Sequence, residues 1–128
     1  MAEMSNYLEN ALINATLRNT SYTSPAAVYV GLYTTDPTDA NSGTEVSGGS
    51  YARTAVTMGA PSDGVSTNSG AVTFPTATGT WGTVGWIGIL DAATSGNLLY
   101  HTPLTASKSI TAGDIFTIAI GNLSVTLG

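Results

Sequence analysis

The sequence predicts a mainly β chain: a compact antiparallel β-sandwich or partly closed barrel, preceded by one amphipathic helix. Three observations carry that prediction. Only residues 6–19 show a helical repeat of apolar side chains, the apolar residues after Pro25 alternate with a period of two, and Gly, Asn and Asp turn signals recur at near-regular spacing. The 128 residues read as one domain, 1–128, with a helix at 6–19 and a β-domain at 26–127. A chain of this length buries roughly two-thirds of its unfolded surface, enough for one core without metals or cross-links.

The helix begins where Asn6 precedes Tyr7, Leu8 and Glu9. Asn6 can accept a bond from a free helix N–H and Glu9, three residues on, can reach back, a variant of the capping box. Leu8, Ala11, Leu12 and Ala15 follow as the stripe of one helix face, suited to lie on a sheet or on a neighbouring subunit. Asn19, Thr20 and Ser21 end it.

The first strand, residues 27–35, alternates Val28, Val30 and Leu32 with Tyr29, Gly31 and Tyr33. Residues 36–50 are turn chemistry throughout and predict a long exposed loop, in which Gly48 and Gly49 supply positive φ at a bend. Further strands are expected at 53–58, 71–75, 83–90, 98–104 and 115–127, parted by turns such as Ser62-Asp63-Gly64 and Ser95-Gly96-Asn97. Neither face of the 83–90 strand is polar, so it is expected to be covered on both sides. No fixed period recurs, which excludes solenoids and propellers.

Charge is scarce. Three basic residues, Arg18, Arg53 and Lys108, stand against eight acidic ones for a net charge of −5, while 21 Thr, 13 Ser and 15 Gly supply neutral polarity. Scattered cations cannot neutralise a phosphate backbone, which argues against nucleic acid. No run approaches the length of a membrane-spanning helix and no secretory signal opens the chain, so synthesis and retention in a cytoplasm are expected until assembly. Cysteine is absent, which removes disulfides and thiolate chemistry. A surface with few ions suits an assembled subunit, because contact across it desolvates little charge.

The candidates for chemistry are weak, and no catalytic residue, metal or cofactor is assigned. His101, the single histidine, reads as a strand histidine on a solvent or interface face rather than a catalytic base. Asp36, Asp39 and Glu45 share one loop and could offer oxygen ligands to calcium, but the EF-hand spacing is missing and turn formation explains the Asp residues. Trp81 and Trp86 with Tyr29, Tyr33, Tyr51 and Tyr100 could stack on a sugar, although aromatics at strand spacing are more often core or subunit contact.

Several strings carry a resemblance: Tyr7-Leu8-Glu9-Asn10-Ala11-Leu12, then Val28-Tyr29-Val30-Gly31-Leu32-Tyr33-Thr34-Thr35-Asp36-Pro37, then Gly48-Gly49-Ser50-Tyr51-Ala52-Arg53 and Asp91-Ala92-Ala93-Thr94-Ser95-Gly96-Asn97. Over nearly its whole length the chain resembles small tailed-bacteriophage virion proteins commonly labelled phage tail fibre proteins. The resemblance implies a non-enzymatic structural component of the virion, at the head surface or the tail, with other virion proteins as partners. A capsid decoration or cement protein held to the major capsid protein as a homo-oligomer such as a trimer is the first expectation. A small tail-fibre or tail-tip component touching host or tail proteins is the second, and a carbohydrate-binding module the third. Contact residues are expected at Tyr7, Leu8 and Leu12 for helix docking and at Asp36, Asp39, Glu45, Tyr51 and Arg53 for subunit contact. Arg53 beside Tyr51 has the make-up of an interface anchor, with an ion pair to Glu45 as the equal alternative.

Overall fold

The computed structural model describes residues 2–127. Its elements in chain order are β1 (Glu3–Met4), α1 (Asn6–Leu17), β2 (Val28–Tyr33), β3 (Thr54–Val56), β4 (Val65–Thr67), β5 (Val72–Thr73), β6 (Gly82–Leu90), β7 (Leu98–Ile110), β8 (Thr117–Ile118) and β9 (Ser124–Thr126). A five-stranded antiparallel sheet in the order β1-β7-β6-β2-β3 is joined by two small ladders, β4-β9 and β5-β8. The result is sandwich-like and open, so the barrel alternative falls away.

One sheet face makes the core. Val30 and Leu32 of β2 join Ile87 and Ile89 of β6, together with Val56, Val72, Phe74, Phe116, Ile118 and Leu123, in a single apolar cluster. The alternation read from residues 27–35 is what places Val30 and Leu32 there. β6 is covered on both faces over residues 87–90, which are all buried, whereas Thr83 is exposed and Gly85 and Trp86 are half-buried, so the expected two-sided cover holds for the C-terminal half of the strand. The other face carries the row Gly31, Gly88, His101 and Glu3, each directly opposite the next across β2, β6, β7 and β1. Added Cβ atoms would stand 3.0 Å from Glu45 Oε2 at Gly31 and 2.7 Å from Leu98 Cδ1 at Gly88. The two glycines therefore leave room for a loop and for Tyr33 and Leu98.

Several boundaries differ from the sequence reading. Ser5, not Asn6, caps α1: its side chain accepts from the Leu8 N–H at 3.2 Å and donates to the Leu98 carbonyl, so one hydroxyl serves both helix start and sheet. The helix stops at Leu17, two residues early, with Asn19 in the left-handed region at φ 52°. β7 runs on to Ile110 instead of ending at 104, because residues 104–107 bulge opposite Gly85 before pairing resumes at Val84 and Lys108. The expected strand at 115–127 is two strands, β8 and β9, turned at Gly121. Buried Asn68 holds that turn, accepting from Leu123 N–H at 2.9 Å and donating to the Gly70 and Ala119 carbonyls. β1 and β4 had no sequence signal, since two or three residues are too few to show a period.

Candidate functional site

The 36–50 loop is the centre of the predicted contact surface, and it does not simply hang in solvent. Thr38 N–H donates to Asp36 Oδ1 at 3.0 Å, an Asx turn, and Pro37 is buried beneath it. Gly43 passes so close to Asp36 and Pro37 that a Cβ would lie 2.5 Å from the Asp36 carbonyl oxygen. The chain then returns beside β2: Thr34 N–H donates to the Thr44 carbonyl and Val46 N–H to that of Leu32, both at 2.9 Å. This return buries Val46 and turns Glu45 inward, the opposite of the exposure expected for this stretch. Gly48 and Gly49 do adopt positive φ, 77° and 57°, as the bend requires.

Glu45, Tyr51 and Arg53 meet over Gly31. Arg53 gives two parallel bonds to Glu45, Nε to Oε2 at 2.9 Å and Nη2 to Oε1 at 2.8 Å, while its Nη1 donates to the carbonyls of Ala92 and Ser95. Tyr51 donates its hydroxyl hydrogen to Glu45 Oε2 at 2.6 Å and accepts from Leu32 N–H at 3.0 Å. The Arg53 and Glu45 side chains are only 10% and 23% exposed. Burial, then the Glu45 bond, pushes the Tyr51 hydroxyl far above the ordinary tyrosine range. Burial pushes Tyr33, with Glu45 nearby, up to about 12, and the bond to Glu45 raises Arg53. This is an internal clasp joining the loop, the start of β3 and the turn after β6, under a shallow cleft of about 350 Å³. The ion-pair alternative for Arg53 is the one observed.

His101 departs from the solvent-facing reading. It is 4% exposed, with Nε2 2.8 Å from Asp39 Oδ1 and 3.9 Å from Glu3 Oε2. In the sheet it stands between Glu3 of β1, directly opposite on one side, and Gly88 of β6, directly opposite on the other. Of the loop's acids, Asp39 thus serves His101, Glu45 serves Arg53 and Asp36 serves its own turn, so the loop does not gather the three into a calcium site. Among the described residues, the group of three ligand-type side chains that does converge is Glu3, Asp39 and His101, their donor atoms within 4.8 Å of one another.

The aromatic set is divided: Tyr51 and Tyr100 are half-buried against the core, and Tyr29 and Trp86 are half-buried away from it. Trp81 and Tyr33 are buried, and Tyr51 stacks near Phe74 and packs edge-on against Trp81.

The helix divides the remaining predicted contacts. Leu8 is buried within the chain and Leu12 half-buried, α1 lying against β7, while Tyr7 stays 42% exposed. The sequence stripe is therefore covered only at its N-terminal end, with Ala11 half-buried beside Leu12 and Ala15 exposed. Ile13 and Leu17, one turn apart on the outward side, are 53% and 79% exposed and were not singled out from the sequence. A search for the longest apolar stripe finds the inner side, and a second pair on the outer side is the signal it passes over.

Residues 3–126 match the model of a protein family described as podophage GP4 fiber I protein gp80. The chain belongs to this family. It is a phage virion protein of the tail-fibre type, as the resemblance over nearly its whole length implied. No curated protein matches the chain.

Proposed function

We propose that this member of the fibre family is a non-catalytic tail-fibre subunit that packs against other virion subunits through the outer side of α1. The observation that carries the reading is the helix with two apolar sides: Leu8 is buried on β7 while Tyr7, Ile13 and Leu17 remain uncovered. Exposed apolar side chains that cluster on one element mark a contact surface. The internal clasp of Glu45, Tyr51 and Arg53 then acts at one remove, keeping the 36–50 loop in a fixed shape beside the N-terminal end of the helix, where the Asp39 carbonyl accepts from the Asn6 N–H. The family description supports the tail over the head, reversing the order of the sequence-based expectations, in which capsid decoration came before tail fibre.

Labelling the protein on intact particles and counting copies tests this reading. A tail location with a few to tens of copies is expected. A head lattice with hundreds of copies would return the chain to the decoration role.

A further inference from the structure

We propose that Glu3, Asp39 and His101 bind a divalent transition-metal ion of the zinc class, which staples the N-terminal arm to the sheet. The three donors arrive from separate parts of the chain: β1, the loop after β2, and β7. Glu3 and His101 are directly opposite in the β1-β7 pair, so their side chains leave the same face. Asp39 is brought over them by its backbone, whose carbonyl accepts from the Asn6 N–H at 2.9 Å. The imidazole is buried and held by its strand, whereas the two carboxylates reach solvent, 48% and 70% exposed.

A hydrogen bond accounts for two of the three groups. One Nε2 hydrogen can serve Asp39 at 2.8 Å, but Glu3 at 3.9 Å lies beyond its reach. An ion with bonds of about 2.0–2.2 Å to each donor uses all three. Reaching that arrangement requires Asp39 to back away by a few tenths of an ångström and the freely rotating Glu3 side chain to close in. Imidazole among the ligands disfavours calcium and magnesium, which take oxygen, and favours zinc and its neighbours. The exposure of both carboxylates gives an ion and its remaining water ligands access from solvent.

The mechanical consequence is local. β1 is two residues long and Leu8 is the buried apolar side chain of α1, so a bond from Glu3 through an ion to Asp39 and His101 would anchor the arm that presents Ile13 and Leu17.

The test is calorimetric titration of chelator-stripped protein with zinc chloride, paired with thermal unfolding, on the full chain and on Glu3→Gln, Asp39→Asn and His101→Gln. One zinc per chain is expected, with an unfolding temperature raised by about 5–15 °C at a hundredfold excess over Kd. Affinity should fall at least tenfold in Glu3→Gln, and calcium and magnesium should give no shift. Glu3 is exposed, so that variant folds normally and decides the matter even if His101→Gln does not fold. No binding at 100 µM zinc, or affinity in Glu3→Gln and Asp39→Asn unchanged from that of the unsubstituted chain, which would mark an adventitious ion only, overturns the proposal.

Discussion

On one face of the five-stranded sheet, Val30, Leu32, Ile87 and Ile89 share an apolar cluster with Phe74, Phe116 and Leu123. On the other, Gly31 and Gly88 offer no side chain, and the space is taken by Tyr33, Leu98 and a loop that Glu45, Tyr51 and Arg53 tie down. The first face is held by volume and is indifferent to direction. The second is held by a few directional bonds, each dependent on its partner being in place. A chain with only eleven charged residues spends several of them on that second face. Its scarcity of charge is therefore uneven, with ions kept where loops must be fixed.

The largest expected effect lies in the apolar face. Phe74, 2% exposed and edge-on to Phe116, should cost about 3–5 kcal/mol when changed to Ala, measured by urea unfolding. The loss should be the same at low and high salt. The clasp should respond next: Glu45→Ala leaves Arg53 and the Tyr51 hydroxyl without their shared carboxylate, a loss of about 2–4 kcal/mol allowing for the partial exposure of Glu45. Removing Arg53 as well should add less than its separate effect, with a coupling of about 1–3 kcal/mol in a double-mutant cycle. A loss under 0.5 kcal/mol for Glu45→Ala would break the contrast between the faces, because the loop would then be held by something else.

The glycine row sharpens the comparison at the level of a single methyl. Gly88→Ala places a Cβ 2.7 Å from Leu98 Cδ1 and 3.0 Å from Tyr33 Cε1, and both side chains are fully buried and cannot swing away. A loss of about 1–3 kcal/mol is expected. Gly85→Ala, three residues earlier in the same strand but opposite the bulge, meets nothing within 4 Å and should leave stability unchanged. The pair of unfolding curves separates a steric requirement from the general preference of strands against glycine.

How much of this was legible in the sequence depends on how far apart the deciding residues are. Alternation within residues 27–35 places Val30 and Leu32 in the core because the period is local to one strand. The burial of His101 depends on what stands opposite it, Gly88 on one side and Glu3 on the other, and register across strands is invisible in one strand's pattern. Glu45 illustrates the same limit: its 36–50 surroundings are rich in turn residues, yet the return beside β2 turns it inward. Ser5 caps α1 in place of Asn6 because its hydroxyl also reaches Leu98, 93 residues away. The family strings, by contrast, need no partner in space to be read.

The clasp face should also show itself in alkali, where the apolar face is silent. Tyr33 keeps its proton up to about 12 when folded, because burial disfavours the phenolate, against about 10 when unfolded. Between those values the folded chain holds more protons than the unfolded one, so stability is intact below pH 10 and falls as pH rises through about 12. At pH 11 the fall should be about 1 kcal/mol from Tyr33, and the raised hydroxyl of Tyr51 adds to it. Tyr33→Phe should flatten this limb while costing the bond to Asn41 at every pH.

The smallest effect on stability is expected from the residues proposed to matter most for assembly. Ile13 and Leu17 stand on the side of α1 turned from β7, so Ile13→Ser and Leu17→Ser should change the unfolding free energy of the isolated chain by less than about 0.5 kcal/mol. Leu8→Ala, on the inner side of the same helix, should cost about 2–4 kcal/mol, because Leu8 is 4% exposed. Incorporation into particles, scored by the amount of protein in purified virions, should show the reverse pattern for the outer pair: a marked loss with no loss of fold. Normal incorporation of the double variant Ile13→Ser, Leu17→Ser would mean that the outer side of α1 is not the contact surface. A drop in stability as large as that of Leu8→Ala would mean that both sides of the helix are used within a single chain.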